Sequence, residues 1–131
     1  MPSVPVVSVV GRSNVGKTTL LERLIAELKR RGYRVATVKH DVHGFEMDRP
    51  GKDTWRHAQA GSDLVVIASP QRFAMIGRTA RELTLDEIVA RLPVPVDVVL
   101  TEGYKGGDRP KIEVVRAACG RELLCRAEEL L

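Results

Sequence analysis

Residues 11–18 read Gly-Arg-Ser-Asn-Val-Gly-Lys-Thr, which satisfies the spacing G-x-x-x-x-G-K-[ST] at every position. The flanks are those the motif requires. Val4–Val10 is a β-branched apolar run that ends at Gly11, the pattern of a buried strand. Thr18–Arg31 carries Leu20, Leu24 and Leu28 in one row and Leu21 and Ile25 in the next, with Glu22, Arg23, Glu27, Lys29 and Arg30 on the other face. That is an amphipathic helix, and Gly32 is placed to end it. A strand, a glycine-rich turn and a helix in this order predict a phosphate-binding loop. Gly11 and Gly16 supply backbone angles that side chains oppose, so the amides of Ser13, Asn14, Val15, Gly16, Lys17 and Thr18 can converge on an anion at the positive end of the helix. Lys17 adds a full charge for the terminal phosphates, and the Thr18 hydroxyl is a hard oxygen donor suited to Mg2+. Thr19 opens the helix beside them.

The remaining strands and helices follow in alternation. Tyr33–Lys39 reads as a second strand and 40–52 as a long loop without apolar period. Asp53–Ala60 reads as a short helix, Asp63–Ala68 as a buried strand, and Arg72–Ile76 as a short strand beside it. Thr84 and Glu87 form a capping box, with Leu83 and Ile88 as its apolar staple, opening a helix expected to bury Leu85, Ile88, Val89 and Leu92. Val96–Leu100 and Lys111–Val115 complete the set. Aromatic residues make up 4% of the chain, so its core must come from Val, Leu, Ile and Ala, as in parallel strands covered on both faces. The prediction is an α/β fold: a three-layer P-loop NTPase with a mainly parallel sheet flanked by helices. At 131 residues it is read as a single nucleotide-binding domain spanning residues 1–131.

Phosphate chemistry with a metal also needs a carboxylate at the end of a neighbouring core strand. Val96–Leu100 leads into Thr101-Glu102-Gly103, which puts Glu102 at the strand end where open α/β sheets bind ligands. Gly103 lets the backbone turn close to a ligand. Asp97, near the start of that strand, is expected to be remote. Lys39, His40 and Asp41 stand at the corresponding end of the second strand. There Asp41 is the candidate to hold or orient a metal-bound water, with His40 as the alternative proton acceptor. His40, Asp41 and His43 lack the spacing of a closed zinc site. Val38-Lys39-His40-Asp41 superficially matches the guanine-reading motif of GTPases, but with the wrong first residue and after the wrong strand.

Charge and cysteine content narrow the partners. The net charge is +4, and the basic residues are scattered. The densest cluster, Lys29-Arg30-Arg31, sits at a helix C-terminus, where cations favour the helix dipole without any partner. Nucleic acid is therefore not expected. No stretch approaches the roughly 20 apolar residues that cross a bilayer. Cys119 and Cys125 have no matching Cys or His pair and read as reduced thiols, and Val4–Val10 lacks the length, basic lead and cleavage pattern of a signal peptide, so the chain is expected to be cytoplasmic.

Taken together, several segments resemble the molybdopterin-guanine dinucleotide biosynthesis protein B (MobB) family. They are Gly16-Lys17-Thr18-Thr19-Leu20-Leu21, Val38-Lys39-His40, Asp48-Arg49-Pro50-Gly51-Lys52-Asp53-Thr54, Ala60-Gly61-Ser62-Asp63, Ala68-Ser69-Pro70 and Thr101-Glu102-Gly103-Tyr104-Lys105. The resemblance implies a GTP-binding adapter with slow hydrolysis, forming a homodimer. Its role would be to assist the molybdenum cofactor guanylyltransferase that joins GMP to molybdopterin; the basic groups of the 40–53 loop and Lys105 are candidates to meet the anionic phosphate of molybdopterin itself. It also implies that Lys17, Thr18 and Glu102 belong to a GTP and Mg2+ site, and that Lys39, His40, Asp48, Lys52, Asp53 and Lys105 surround the cleft. The 40–53 loop is expected to be organised by GTP and to engage the partner. Members of the family usually continue past Leu131 into a strand and a Ser-Asp segment near the guanine, whereas here 121–131 is helix-like. Guanine over adenine therefore rests on the resemblance.

Two other readings are compatible with the loop alone. A small-molecule phosphotransferase would need a lid with arginines, for which Arg72, Arg78 and Arg81 are the candidates. A ribosome-assembly or metallochaperone GTPase would need a D-x-x-G switch with a guanine-reading motif, or a Cys/His-rich metal segment.

Overall fold

The computed structural model describes residues 4–12, 16–104 and 106–115. Two compact units divide the chain: residues 1–42 with 92–131, and residues 43–91.

In the first unit, the apolar run after Val4 forms β1 (Val6–Val10), and α1 (Lys17–Arg30) follows the phosphate-loop motif. Next come β2 (Val35–Lys39) and, later in the chain, β5 (Val98–Glu102) and β6 (Lys111–Glu113). The strands form one sheet in the order β2-β5-β1-β6, and every pairing is parallel. β1 and β2 are thus separated by β5, and the connection between them must cross over it; α1 makes that crossing. Its inner row lands as the periodicity requires. Leu21 is buried with Val9 and Leu100, and Leu20, Leu24, Ile25 and Leu28 pack around them with Val7, Val35, Val98 and Val114. The aliphatic composition thus produces a parallel sheet covered by a helix.

Three polar side chains lie inside this sheet, each with partners. Thr101 donates to Ser8 across the β5–β1 ladder at 2.8 Å, and both are fully buried. Lys111 is 2% exposed, and its ammonium donates to the carbonyls of Gly107 and Arg109. A buried charge without such acceptors would be strongly unfavourable. At the opposite end of the sheet, the Arg34 guanidinium and backbone amide hold the Asp97 carboxylate, which lowers its pKa. Asp97 is therefore occupied structurally and far from the strand ends that carry the site, as expected.

The second unit contains α2 (Asp53–Gln59), β3 (Leu64–Ala68), β4 (Phe73–Gly77) and α3 (Leu85–Ala90). β3 and β4 form an antiparallel two-stranded sheet with Val66 opposite Met75. The expected strand at 72–76 is present one residue later. Two expectations fail here. β3 is not a buried strand: only its Val65 is buried, because the ribbon has two faces and α2 packs on β3 from one of them. On the other face, Leu64, Val66, Phe73 and Met75 are 51%, 52%, 48% and 50% exposed. Nor does α3 bury its apolar residues. It is six residues long, and Leu85, Ile88 and Val89 stay half-buried. What defines it is its N-terminus: Thr84 accepts from the Glu87 amide at 3.1 Å and Glu87 reaches back to the Thr84 amide at 3.2 Å, the predicted capping box.

Candidate functional site

The site lies at the C-terminal ends of β1, β5 and β2. Gly16 caps α1 with φ of 102°, a left-handed angle that glycine takes at no steric cost. α1 differs from α3 at this end. Its N-cap has no side chain to accept from the first amides, and its first turn holds no carboxylate. α3 has both a side-chain cap and Asp86 and Glu87 in its first turn. The positive end of α1 is thus left for an external anion.

Lys17 and Thr18 are the first two residues of that helix. The Lys17 ammonium donates to the Gly11 carbonyl at 2.9 Å, which leaves two of its three N–H donors for phosphate oxygens. The Thr18 hydroxyl donates to Glu102 Oε1 at 3.0 Å. Glu102 is the last residue of β5, held there by the β1 and β2 ladders on either side. Two hard oxygen donors from a helix start and a strand end thus converge next to a lysine. This donor set fits Mg2+, which accepts one or two protein oxygens and completes its shell with phosphate and water. Among the described residues no group of three or more His, Cys, Asp or Glu side chains gathers as a metal cage.

A cavity of about 180 Å³ opens between α1, β2 and β5, lined by Thr18, Leu21, Glu22, Ile25, Thr37, Val38, Lys39 and Glu102. Lys39 and Glu102 are register partners, which explains why the strand-end lysine shares the space with the carboxylate. Asp41 and His40 follow β2 but stand outside that lining. The structure does bring His40 to the loop after β5: its ring stacks on Tyr104 with centroids 4.5 Å apart and planes 19° from parallel. Gly103 turns there with φ of 105°, and a Cβ on it would lie 3.3 Å from the His40 Cβ.

Ser13, Asn14, Val15 and Lys105 lie outside the described residues, as do Cys119, Cys125 and the helix-like segment 121–131. Gly11, Gly16, Lys17, Thr18, Thr19, Lys39, Glu102 and Gly103 all fall at this end of the sheet. Asp48, Lys52 and Asp53 belong to the second unit, where Asp48 lines a separate cavity of about 180 Å³ with Phe45, Met47, Trp55, Val65 and Ile76. Two of the candidate lid arginines are engaged within that unit. Arg78 donates to the Ala58 carbonyl, and Arg81 forms a two-bonded pair with Glu87 at 2.7 Å. Sequence reasoning quoted Tyr104 but gave it no part, and passed over Glu22 and Lys111. The signal available for Tyr104 was an aromatic residue directly after a strand-end Glu-Gly.

An all-parallel sheet, a glycine-capped helix start with its lysine, and a hydroxyl–carboxylate pair across to the next strand define a P-loop domain of the α/β class. The family model for molybdopterin guanine dinucleotide synthesis protein B matches residues 6–131. The chain belongs to that family, MobB. A molybdopterin-guanine dinucleotide biosynthesis adapter protein of Haemophilus influenzae is 41% identical over 110 residues, which cover 83% of this chain and 62% of that protein. The corresponding Escherichia coli protein is 36% identical over 131 residues, covering 98% and 73%. The crystal structure of Bacillus subtilis MobB superposes with a TM-score of 0.71 at 33% identity, covering 85% of this chain and 68% of the other. The chain thus spans about two thirds of the length of the relatives it matches.

Proposed function

We propose that this chain is a Mg2+-dependent GTP-binding adapter that assists a guanylyltransferase in attaching GMP to molybdopterin. The observation that carries the reading is the Thr18–Glu102 contact beside Lys17, at the positive end of an otherwise uncapped helix. In the bound state the loop amides and Lys17 take the phosphates, while Thr18 and Glu102 hold Mg2+. Lys39 lines the same cavity and supplies a second cation for the phosphates or for the phosphate of the pterin. Membership of the MobB family, and the adapter names of its relatives, support the pathway assignment.

Turnover is slow on this reading. Arg30, Arg31 and Arg34 stand at the end of α1 and of the sheet away from Lys17 and Thr18, paired with Glu27 and Asp97. An arginine that meets transition-state charge contributes roughly 10³–10⁵ in rate. Asp41, with His40 beside it, is the group assigned to orient the attacking water. The functional species is a homodimer in the cytoplasm. Its support is the β3–β4 ribbon, whose Leu64, Val66, Phe73 and Met75 face is uncharged and half-exposed. A two-stranded sheet is marginal in water without cover on its apolar faces, and a second copy presents the same apolar face. Among the described residues no helix is long and apolar enough to cross a membrane.

Titration with GTP and with ATP, each with Mg2+ and with EDTA, tests the first step. Saturable binding that favours GTP and needs Mg2+ is the expected result; no Mg2+-dependent binding of either nucleotide refutes the reading. Co-elution with the guanylyltransferase in GTP tests the second. A phosphorylated small-molecule product would instead make the chain a phosphotransferase.

A further inference from the structure

We propose that Tyr104 is a positioning residue: by stacking on His40 it fixes the turn that follows β5 and so sets the Glu102 carboxylate against Thr18. The proposal rests on the reading of Thr18 and Glu102 as the Mg2+ side of the site.

The backbone gives the first reason. After Glu102 the chain turns through two successive left-handed residues, Gly103 with φ of 105° and Tyr104 with φ of 62°. Among the described residues Tyr104 is the one non-glycine with positive φ. A bulky aromatic opposes that angle, and such a residue persists only where its surroundings over-determine it. Glycine or asparagine would make the same turn with less strain, so the turn itself does not call for tyrosine. The ring does, because this backbone folds it back onto His40.

The two stacked residues flank Glu102 along the backbone: His40 follows β2 and Tyr104 follows Gly103. The His40 amide donates to the Glu102 carbonyl at 3.0 Å, and the Gly103 amide donates to Val9 at 3.1 Å. These two backbone bonds carry the β2 and β1 ladders to the point where β5 ends, and the ring pair joins the residues on either side of that point. The far side of the turn is fastened as well. The Gly107 amide donates to the Tyr104 carbonyl at 3.0 Å, and the buried Lys111 ammonium at the start of β6 binds the carbonyls of Gly107 and Arg109. The turn is thus held between the end of β2 and the start of β6, with Glu102 at its origin. Without the ring, the left-handed angle at position 104 loses its support, and the carboxylate loses its fixed direction.

Groups that orient a metal ligand typically change metal affinity by 10–100-fold when removed. The test is titration of a fluorescent GTP analogue into the parent, Tyr104→Phe and Tyr104→Ala, each with Mg2+ and with EDTA, alongside thermal melting. Tyr104→Phe keeps the ring and should stay closer to the parent than Tyr104→Ala in Mg2+. Tyr104→Ala should bind about tenfold or more weakly in Mg2+ and be unchanged in EDTA. His40→Ala should do the same, and the double variant should be no worse than either, as for two halves of one contact. Equal losses with and without Mg2+, or parent-like binding by Tyr104→Ala in Mg2+, overturn the proposal. If Tyr104→Ala does not fold, Tyr104→Leu replaces it under the same criterion. A parent whose binding ignores Mg2+ overturns the underlying assignment of Thr18 and Glu102, and this proposal with it. A Mg2+-dependent parent with an indifferent Tyr104→Ala overturns this proposal alone.

Discussion

The Thr18 hydroxyl and the Glu102 carboxylate, 84 positions apart in sequence, meet at 3.0 Å across the space between a helix start and a strand end. On the proposed reading these two groups address the same metal ion, and here they already face each other. Replacing Glu102 by Gln preserves the acceptor for Thr18 but removes the charge. We expect Glu102→Gln to fold normally and to lose about 10–100-fold in Mg2+-dependent GTP affinity, the range for a charge-assisted contact. Affinity in EDTA should be unchanged or slightly stronger, since a negative charge near the phosphates has gone. Calorimetric titration in both conditions checks the split.

Lys17 makes a complementary prediction. Its ammonium spends one of its three N–H donors on the Gly11 carbonyl and has two left for phosphate oxygens. Lys17→Ala should lower nucleotide affinity by about 100-fold whether or not Mg2+ is present, the fold-change of roughly 3 kcal/mol. A variant that binds like the parent would remove the lysine from the site.

The hairpin face predicts the assembly. Val66 and Met75 are register partners on the exposed side of the ribbon. Val66→Glu or Met75→Lys places a charge where a second copy would have to desolvate it, so light scattering should show the mass falling to that of the 14.5 kDa chain. The circular-dichroism spectrum should persist. A parent already at that mass at micromolar concentration would remove the homodimer from the proposal.

The capping box of α3 predicts a pH dependence. The Arg81 guanidinium, followed by the Thr84 backbone amide, holds the Glu87 carboxyl down to about 2. A carboxyl whose pKa is lower in the folded state stabilises fully above its ordinary value of 4.5, and that contribution is lost as pH falls toward about 2. Melting temperature should therefore fall across this window, and less steeply for Glu87→Gln. Glu27, held to about 2 by Arg30 and Arg31, adds a similar pH dependence that Glu87→Gln leaves in place. At neutral pH, Thr84→Ala should cost about 1 kcal/mol, the usual effect of losing an N-cap.

How much of this was legible in the sequence differs by residue. Val6–Val10, Gly16, Lys17 and Leu21 declared themselves because each obeys a local rule of strand, loop or helix. Glu102 was found by its position at a strand end, and the β5–β1 pairing placed it there. The capping box was legible because its chemistry is contained within four consecutive residues. Leu64–Ala68 misled, because an apolar β-branched run looks the same whether one of its faces is packed or both are. Tyr104 was opaque for a different reason. Its angle opposes the intrinsic preference of tyrosine, so a partner distant in sequence, His40, had to be seen first.

Val99, Leu100 and Thr101 lie at the middle of the sheet, sealed between β1 and β2 and buried to within a few per cent. Their amide hydrogens can reach solvent only through an opening that dismantles the whole sheet, so they should be among the slowest in the molecule to take up deuterium. Any ligand that favours the closed form slows that uptake further by its own binding energy. Those three amides are therefore a built-in gauge of occupancy, readable by mass spectrometry without a fluorophore or a turnover assay.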